Sequence, residues 1–111
     1  MLSRMLTGNV LSQLPDAIDA EVSQLLLERR GVKFERIVSR GQSSPEGFWY
    51  DQSQHEFVFL VAGRALLEFD SGETKQLEAG DWIQIDAHAR HRVAWTDPNV
   101  ATVWLVAFFD L

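Results

Sequence analysis

From Gly31 onward, turn-forming residues interrupt the chain before any long apolar stretch can develop. Gly31, Gly41, Gly47, Gly63, Asp70-Ser71-Gly72, Ala79-Gly80-Asp81 and Asp97-Pro98-Asn99 separate short segments rich in Val, Ile, Phe, Trp and Thr. Segments of that length and composition read as strands, at 32–39, 47–52, 55–61, 64–70, 73–78, 82–85, 91–95 and 101–109. A run of short strands with no helix among them folds as a sandwich or a closed barrel. Closure also protects Phe57-Val58-Phe59-Leu60-Val61, which would aggregate on an open edge.

The first 30 residues differ in character. Pro15 suits a first helical turn, and Asp16, Asp19 and Glu21 complement a helix dipole. Ile18, Val22, Leu25 and Leu26 recur at helical spacing, Leu27 widens the stripe, and Arg29-Arg30-Gly31 supplies a stop. The expectation is a helix over 15–29 whose apolar stripe covers the barrel or packs across a dimer. Its acidic polar face argues against a membrane-surface role.

With 111 residues the chain reads as one domain, an N-terminal helical segment at 1–30 followed by a β-barrel at 31–111, large enough for a core without staples. It has no cysteine, hence no disulfide, no thiolate zinc site and no cysteine nucleophile. A formal charge of -6 repels phosphate backbones, and the only basic clusters are Arg29-Arg30 and Arg90-His91-Arg92, so no nucleic-acid partner is expected. The longest apolar runs, 57–62 and 103–109, fall far short of a bilayer span, and Met1-Leu2-Ser3-Arg4-Met5 does not look like a secretory signal. A cytoplasmic protein with no membrane partner is the expectation.

The chemistry concentrates in two segments. Tyr50-Asp51-Gln52-Ser53-Gln54-His55-Glu56 places unusually polar residues ahead of an apolar strand, and all three histidines lie between 55 and 91. Strand alternation puts Tyr50, Gln52, Gln54 and Glu56 on one face and Asp51, Ser53, His55 and Phe57 on the other. Alternation alone leaves open which face points inward. No serine sits in a nucleophile elbow, and no Gly-x-Gly-x-x-Gly or Walker-type loop exists. Trp49 in a loop and Trp82, Trp95 and Trp104 on strands read mainly as core. Glu56 also has a structural reading, as the partner of Arg36, Arg90 or Arg92.

Glu56, six residues and then Gly63 resembles the end of the first motif of the cupin superfamily. In many small bacterial cupins that motif is His-x-His-x-x-x-Glu, six residues and Gly; here Tyr50 and Gln52 stand where the histidines would be. The second motif, Gly, five residues, Pro-x-Gly, two residues and His, is met by Gly80 and His91, with Asp86 in the proline position and His88 in the glycine position. The resemblance spans 32–109 and includes the Leu77-Glu78-Ala79-Gly80-Asp81-Trp82-Ile83 hairpin. It implies an all-β double-stranded β-helix, the cupin jelly-roll barrel.

The resemblance also implies a divalent metal, with Gln52, Glu56 and His91 as ligands and Tyr50 as a fourth ligand or an acid/base group. Asp51 and His55 are the alternates if a bulge shifts the register. Oxygen-rich donors favour Mn or Fe, with Zn a further candidate, and no organic cofactor is expected. Tyr50 and Glu56 are the candidate catalytic residues. The expected partners are a small polar molecule and a second copy in a homodimer, whose surface would include outward-facing Phe57 and Phe59. Two other readings stand beside the metalloprotein. One is a metal-free barrel that binds or senses a small sugar or acid, with the same residues serving only as hydrogen-bond partners; a separate chemistry open to Glu56 with His91 or Tyr50 is that of a metal-free acid/base pair isomerising a small sugar or keto acid. The other is a dimer with a vestigial pocket.

Overall fold

The computed structural model describes residues 4–17 and 19–110. Eight strands follow in order: β1 (Val22–Arg29), β2 (Val32–Ser39), β3 (His55–Ala62), β4 (Arg64–Phe69), β5 (Thr74–Glu78), β6 (Trp82–Ile85), β7 (His91–Thr96) and β8 (Thr102–Phe109). They form a five-stranded sheet, β1-β2-β8-β3-β6, and a three-stranded sheet, β5-β4-β7, whose ladders are all antiparallel. This is the all-β architecture read from the turn spacing. No helix among the described residues is long and apolar enough to cross a membrane.

The helix expected at 15–29 does not form; the described part of that segment is irregular as far as Glu21 and then becomes β1. Ile18, part of the expected stripe, lies outside the described residues. A bulge produced the misleading period. Leu25 pairs with Glu35 and Leu27 with Phe34, so Leu26 is an extra residue that breaks the two-residue alternation of the strand. Three consecutive leucines spanning a bulge mimic a helical stripe. The Arg30-Gly31 stop is real but closes a hairpin, since Arg29 pairs with Val32 and Gly31 has φ +78°. A glycine with positive φ ends a helix and turns a hairpin equally well. The expected strand 47–52 also shrinks, to one bridge between Tyr50 and His91.

The core lies between the two sheets. Val58, Leu60, Ala65, Leu67, Leu77, Ile85, Trp104 and Val106 are buried there, contributed by both layers. On β3 the alternation is regular: Glu56, Val58 and Leu60 are buried, while Phe57 and Phe59 are half-buried on the outer face, where Phe57 stacks on Trp82 at 5.4 Å. Of the tryptophans read as core, Trp104 is buried with its indole N–H donating to Ser39 Oγ at 3.1 Å, but Trp82 and Trp95 are exposed.

Arg36 ties the N-terminal arm to the five-stranded sheet. Arg36 is buried, and its guanidinium donates to the carbonyls of Val10 (3.1 Å), Ser12 (2.7 Å) and Gln13 (3.4 Å) and to Gln24 Oε1. A fixed fork of five donors suits this role, because the arm presents several carbonyls that no ladder satisfies. Arg36 is thereby committed to the arm.

Candidate functional site

The two polar segments meet through backbone pairing. Tyr50 N–H donates to His91 O at 2.7 Å, His91 N–H returns to Tyr50 O at 3.2 Å, and His88 N–H donates to Gln52 O at 2.8 Å. This staple places Tyr50 and Gln52 beside β7, and the alternation of β3 brings Glu56 in from the opposite sheet. Of the Tyr50 face, Tyr50, Gln52 and Glu56 therefore point inward, while Gln54 turns to Asp110, donating to Oδ1 at 3.0 Å. Tyr50, Gln52, Glu56 and His91 line one cavity of about 180 Å³ with a floor of Val58, Leu67, Ile85, Trp104, Val106 and Phe108.

The alternates lie elsewhere. Asp51 is exposed and meets His88 Nδ1 at 2.7 Å, while His55 accepts a hydrogen bond from Ala87 N at 3.0 Å and rests against the Phe109 ring. Neither lines the cavity. His88 has φ +65°, so the position that resembles a motif glycine keeps the glycine conformation although the residue is histidine. The arginines available to Glu56 are occupied: Arg36 by the arm, Arg90 by Asp70 at 3.7 Å and Arg92 by Glu68 at 3.2 Å.

At the centre of the site, Glu56 Oε1 takes the Gln52 amide at 2.8 Å and faces His91 Nε2 at 3.1 Å. His91 Nδ1 lies 2.8 Å from the Ala89 carbonyl, which can only accept, so Nδ1 carries a proton. A second proton on Nε2 then completes the contact to Glu56. Burial works against the charged imidazole, but the hydrogen bonds to Glu56 and Ala89 and the Glu56 charge outweigh it and raise the pKa above the ordinary 6.5. Tyr50 is raised by burial and by the charges of Glu21 and Glu56, which keeps its hydroxyl protonated. Among the described residues no hydrogen bond reaches Glu56 Oε2.

Three further polar residues line the cavity and escaped the sequence reading: Glu21 and Ser23 at the start of β1, and Glu35 on β2. Glu21 is exposed as a residue, yet its carboxylate comes within 3.5 Å of the buried Ser39 hydroxyl. Burial pushes its pKa up and Ser39 draws it back. The alternation Glu21-Val22-Ser23 was the available signal, hidden by the apparent helix.

As arranged, the residues do not fit a resident divalent ion. Such sites gather three or more imidazole or carboxylate donors, whereas here one imidazole and one carboxylate face each other directly and the Gln52 amide gives its N–H to the same carboxylate. No group of three His, Cys, Asp or Glu suited to a metal occurs among the described residues.

Solved structures give the same architecture. A protein from Ralstonia eutropha JMP134 that bears the name "putative mannose-6-phosphate isomerase" is 46% identical, with a TM-score of 0.90 over 95% of this chain and 98% of its own. An RmlC-like cupin from Shewanella frigidimarina NCIMB 400 is 18% identical with a TM-score of 0.73, covering 98% and 93% of the two chains. A cupin superfamily protein from Desulfitobacterium hafniense DCB-2 is 16% identical with a TM-score of 0.68, covering 82% and 78%. No curated protein matches the chain. The cupin domain pattern matches residues 35–108, from the pocket carboxylate Glu35 to the pocket wall at Phe108. With both sheets, the paired motif segments and this match in agreement, the chain belongs to the cupin-domain family.

Proposed function

We propose that the barrel binds a small polar molecule and that His91 and Glu56 act on it as a metal-free acid/base pair, with Tyr50 as a hydrogen-bond donor. The observation that supports this is the 3.1 Å contact of His91 Nε2 with Glu56 Oε1 above an apolar floor. An imidazolium and a carboxylate that share a proton in a partly dry cavity can give and take one without a large change in solvation. Glu56 Oε2 is the atom left to accept a ligand proton. The name of the Ralstonia neighbour is in keeping with proton transfer at adjacent carbons, the chemistry of an isomerase.

A divalent ion (Mn, Fe or Zn) held by Gln52, Glu56 and His91 is the competing reading, favoured by the presence of all three side chains in the lining of one cavity. Nitrogen-15 titration of the His91 ring, with elemental analysis of protein purified without chelators, separates the two. The acid/base pair predicts an Nδ1 that stays protonated, an Nε2 that titrates above 6.5 and falls back in Glu56→Gln, and no bound metal. Near-stoichiometric metal that disappears in His91→Ala, with an Nε2 that does not titrate, would replace it with the metalloprotein.

For the homodimer, the exposed Leu25 (56%), Leu26 (39%), Leu6 and Leu11 beside edge strand β1 offer an apolar surface that a second copy could cover. Sedimentation velocity should give a dimer that Leu25→Glu converts to monomer. A monomeric wild type rules it out.

A further inference from the structure

This inference rests on the binding site proposed above and concerns the charge of its ligand. The cavity is lined by three carboxylates, Glu21, Glu35 and Glu56, and His91 is the only basic side chain among the lining residues. Arg36, Arg90 and Arg92 are turned to other partners: Arg36 to the arm carbonyls, Arg90 to Asp70, and Arg92 to Glu68 and the Ser44 carbonyl. Outside the lining, Lys33 Nζ lies 3.9 Å from Glu35 Oε2, so with His91 two cations stand against three carboxylates and the cavity keeps an excess of one negative charge.

Three features indicate what would complete it. Glu56 is nine-tenths buried, with Oε1 already holding Gln52 and His91 and Oε2 left without a donor. The Tyr50 and Trp104 rings present aromatic surface of the kind that attracts cations as well as carbon, while Phe108 already carries Lys33 Nζ at 5.0 Å. The floor of Val58, Leu67, Ile85 and Val106 has no polar group with which to bind a ring of hydroxyls. An apolar body fits the floor, and a donor-rich positive end fits the carboxylates.

We infer that the ligand is a small organic ammonium ion with an apolar body and that the cavity rejects phosphorylated and other anionic compounds. The acid/base pair would then work on a molecule held by its amine. A sugar phosphate, which the neighbour's name would suggest, would bring its phosphate toward Glu21 and Glu35 with no lysine or arginine in the lining to receive it. At about 180 Å³ the cavity is smaller than the roughly 300–1,000 Å³ of drug-sized sites, which limits the ligand to a single small ring or a short chain.

Three probes that share one ring and differ in charge test this on the full chain: benzylammonium, benzyl alcohol and benzyl phosphate. Affinities are measured by calorimetry, and the site is located by amide chemical shifts. The expected result is benzylammonium at least tenfold tighter than benzyl alcohol and benzyl phosphate weakest, with shifts at Tyr50, Glu56 and His91. In the double variant Glu21→Gln, Glu35→Gln the preference for benzylammonium over benzyl alcohol should fall to about threefold or less. Benzyl phosphate binding as tightly as benzylammonium, or a preference that the double variant leaves unmoved, would overturn the charge inference and leave the binding site standing. No binding by any probe, or shifts confined to residues outside the cavity, would overturn both.

Discussion

Gly63→Ala is expected to cost about 2–4 kcal/mol of stability. Gly63 has φ +87°, a region that L side chains avoid at a cost of about 1 kcal/mol. A Cβ there would also lie 2.5 Å from Thr102 Cα and 2.8 Å from the Ala101 carbonyl, with Thr102 Oγ1 closer still. Two of those three atoms are backbone. Relief requires β8 to move away from the β3–β4 corner, and overpacking of this kind adds about 1–3 kcal/mol. Gly80→Ala is the control, because Gly80 has φ +95° with open space around the position of a Cβ, so only the conformational cost of about 1 kcal/mol applies. Urea denaturation of the two variants should separate them by about 1–3 kcal/mol. Equal losses would show that the close approach of Thr102 is not the constraint.

His91→Ala should have the second largest effect, a loss of about 3 kcal/mol at pH 6. Both partners of the His91–Glu56 contact are buried, and removing one of a buried charged pair leaves the other unpaired in the interior. Its pH dependence has a definite direction. Folded His91 holds its proton more tightly than the ordinary value of 6.5, so the stabilisation is fully present below that pH and is lost as the pH rises through the higher folded value. The difference between wild type and His91→Ala should therefore be larger at pH 6 than at pH 9. A difference that widens toward alkaline pH would mean that the neutral ring is the stabilising form. In a Glu56→Gln background the pH dependence should flatten, because two of the causes that raise His91 are the Glu56 hydrogen bond and charge.

The barrel was legible because its evidence is local: turn residues occur where the chain reverses, and on β3 the buried and half-buried side chains alternate without interruption. Gly63 and Gly80, part of the family resemblance, both take positive φ as their turns require. The inward face of Tyr50 and Gln52 was not legible, because it depends on backbone pairing with residues some forty positions away, at His91 and His88. β1 failed for a different reason. Its bulge at Leu26 inserts one residue into a two-residue period, and Val22, Leu25, Leu26 and Leu27 then match the helical template better than the strand. That single misreading also hid Glu21 and Ser23, and with them part of the acidic character of the site. Glu35 was missed because a carboxylate on a strand usually faces water, and only the position of β2 beside β8 turns it toward the cavity.

The placement of β8 between β2 and β3 governs how the domain comes into being. β2 and β8 pair from Val32 with Phe109 to Ser39 with Thr102, so the middle of the larger sheet joins segments separated by most of the chain. On a ribosome, β2 and β3 emerge early and wait without their shared neighbour, since β8 is the last of the eight strands to be made. Closure of such distant partners is slow, on the order of milliseconds to seconds for β-rich domains of this kind. Until β8 is made, the edge of β3 that it pairs with stays open, which leaves the nascent chain more prone to aggregation than the finished barrel.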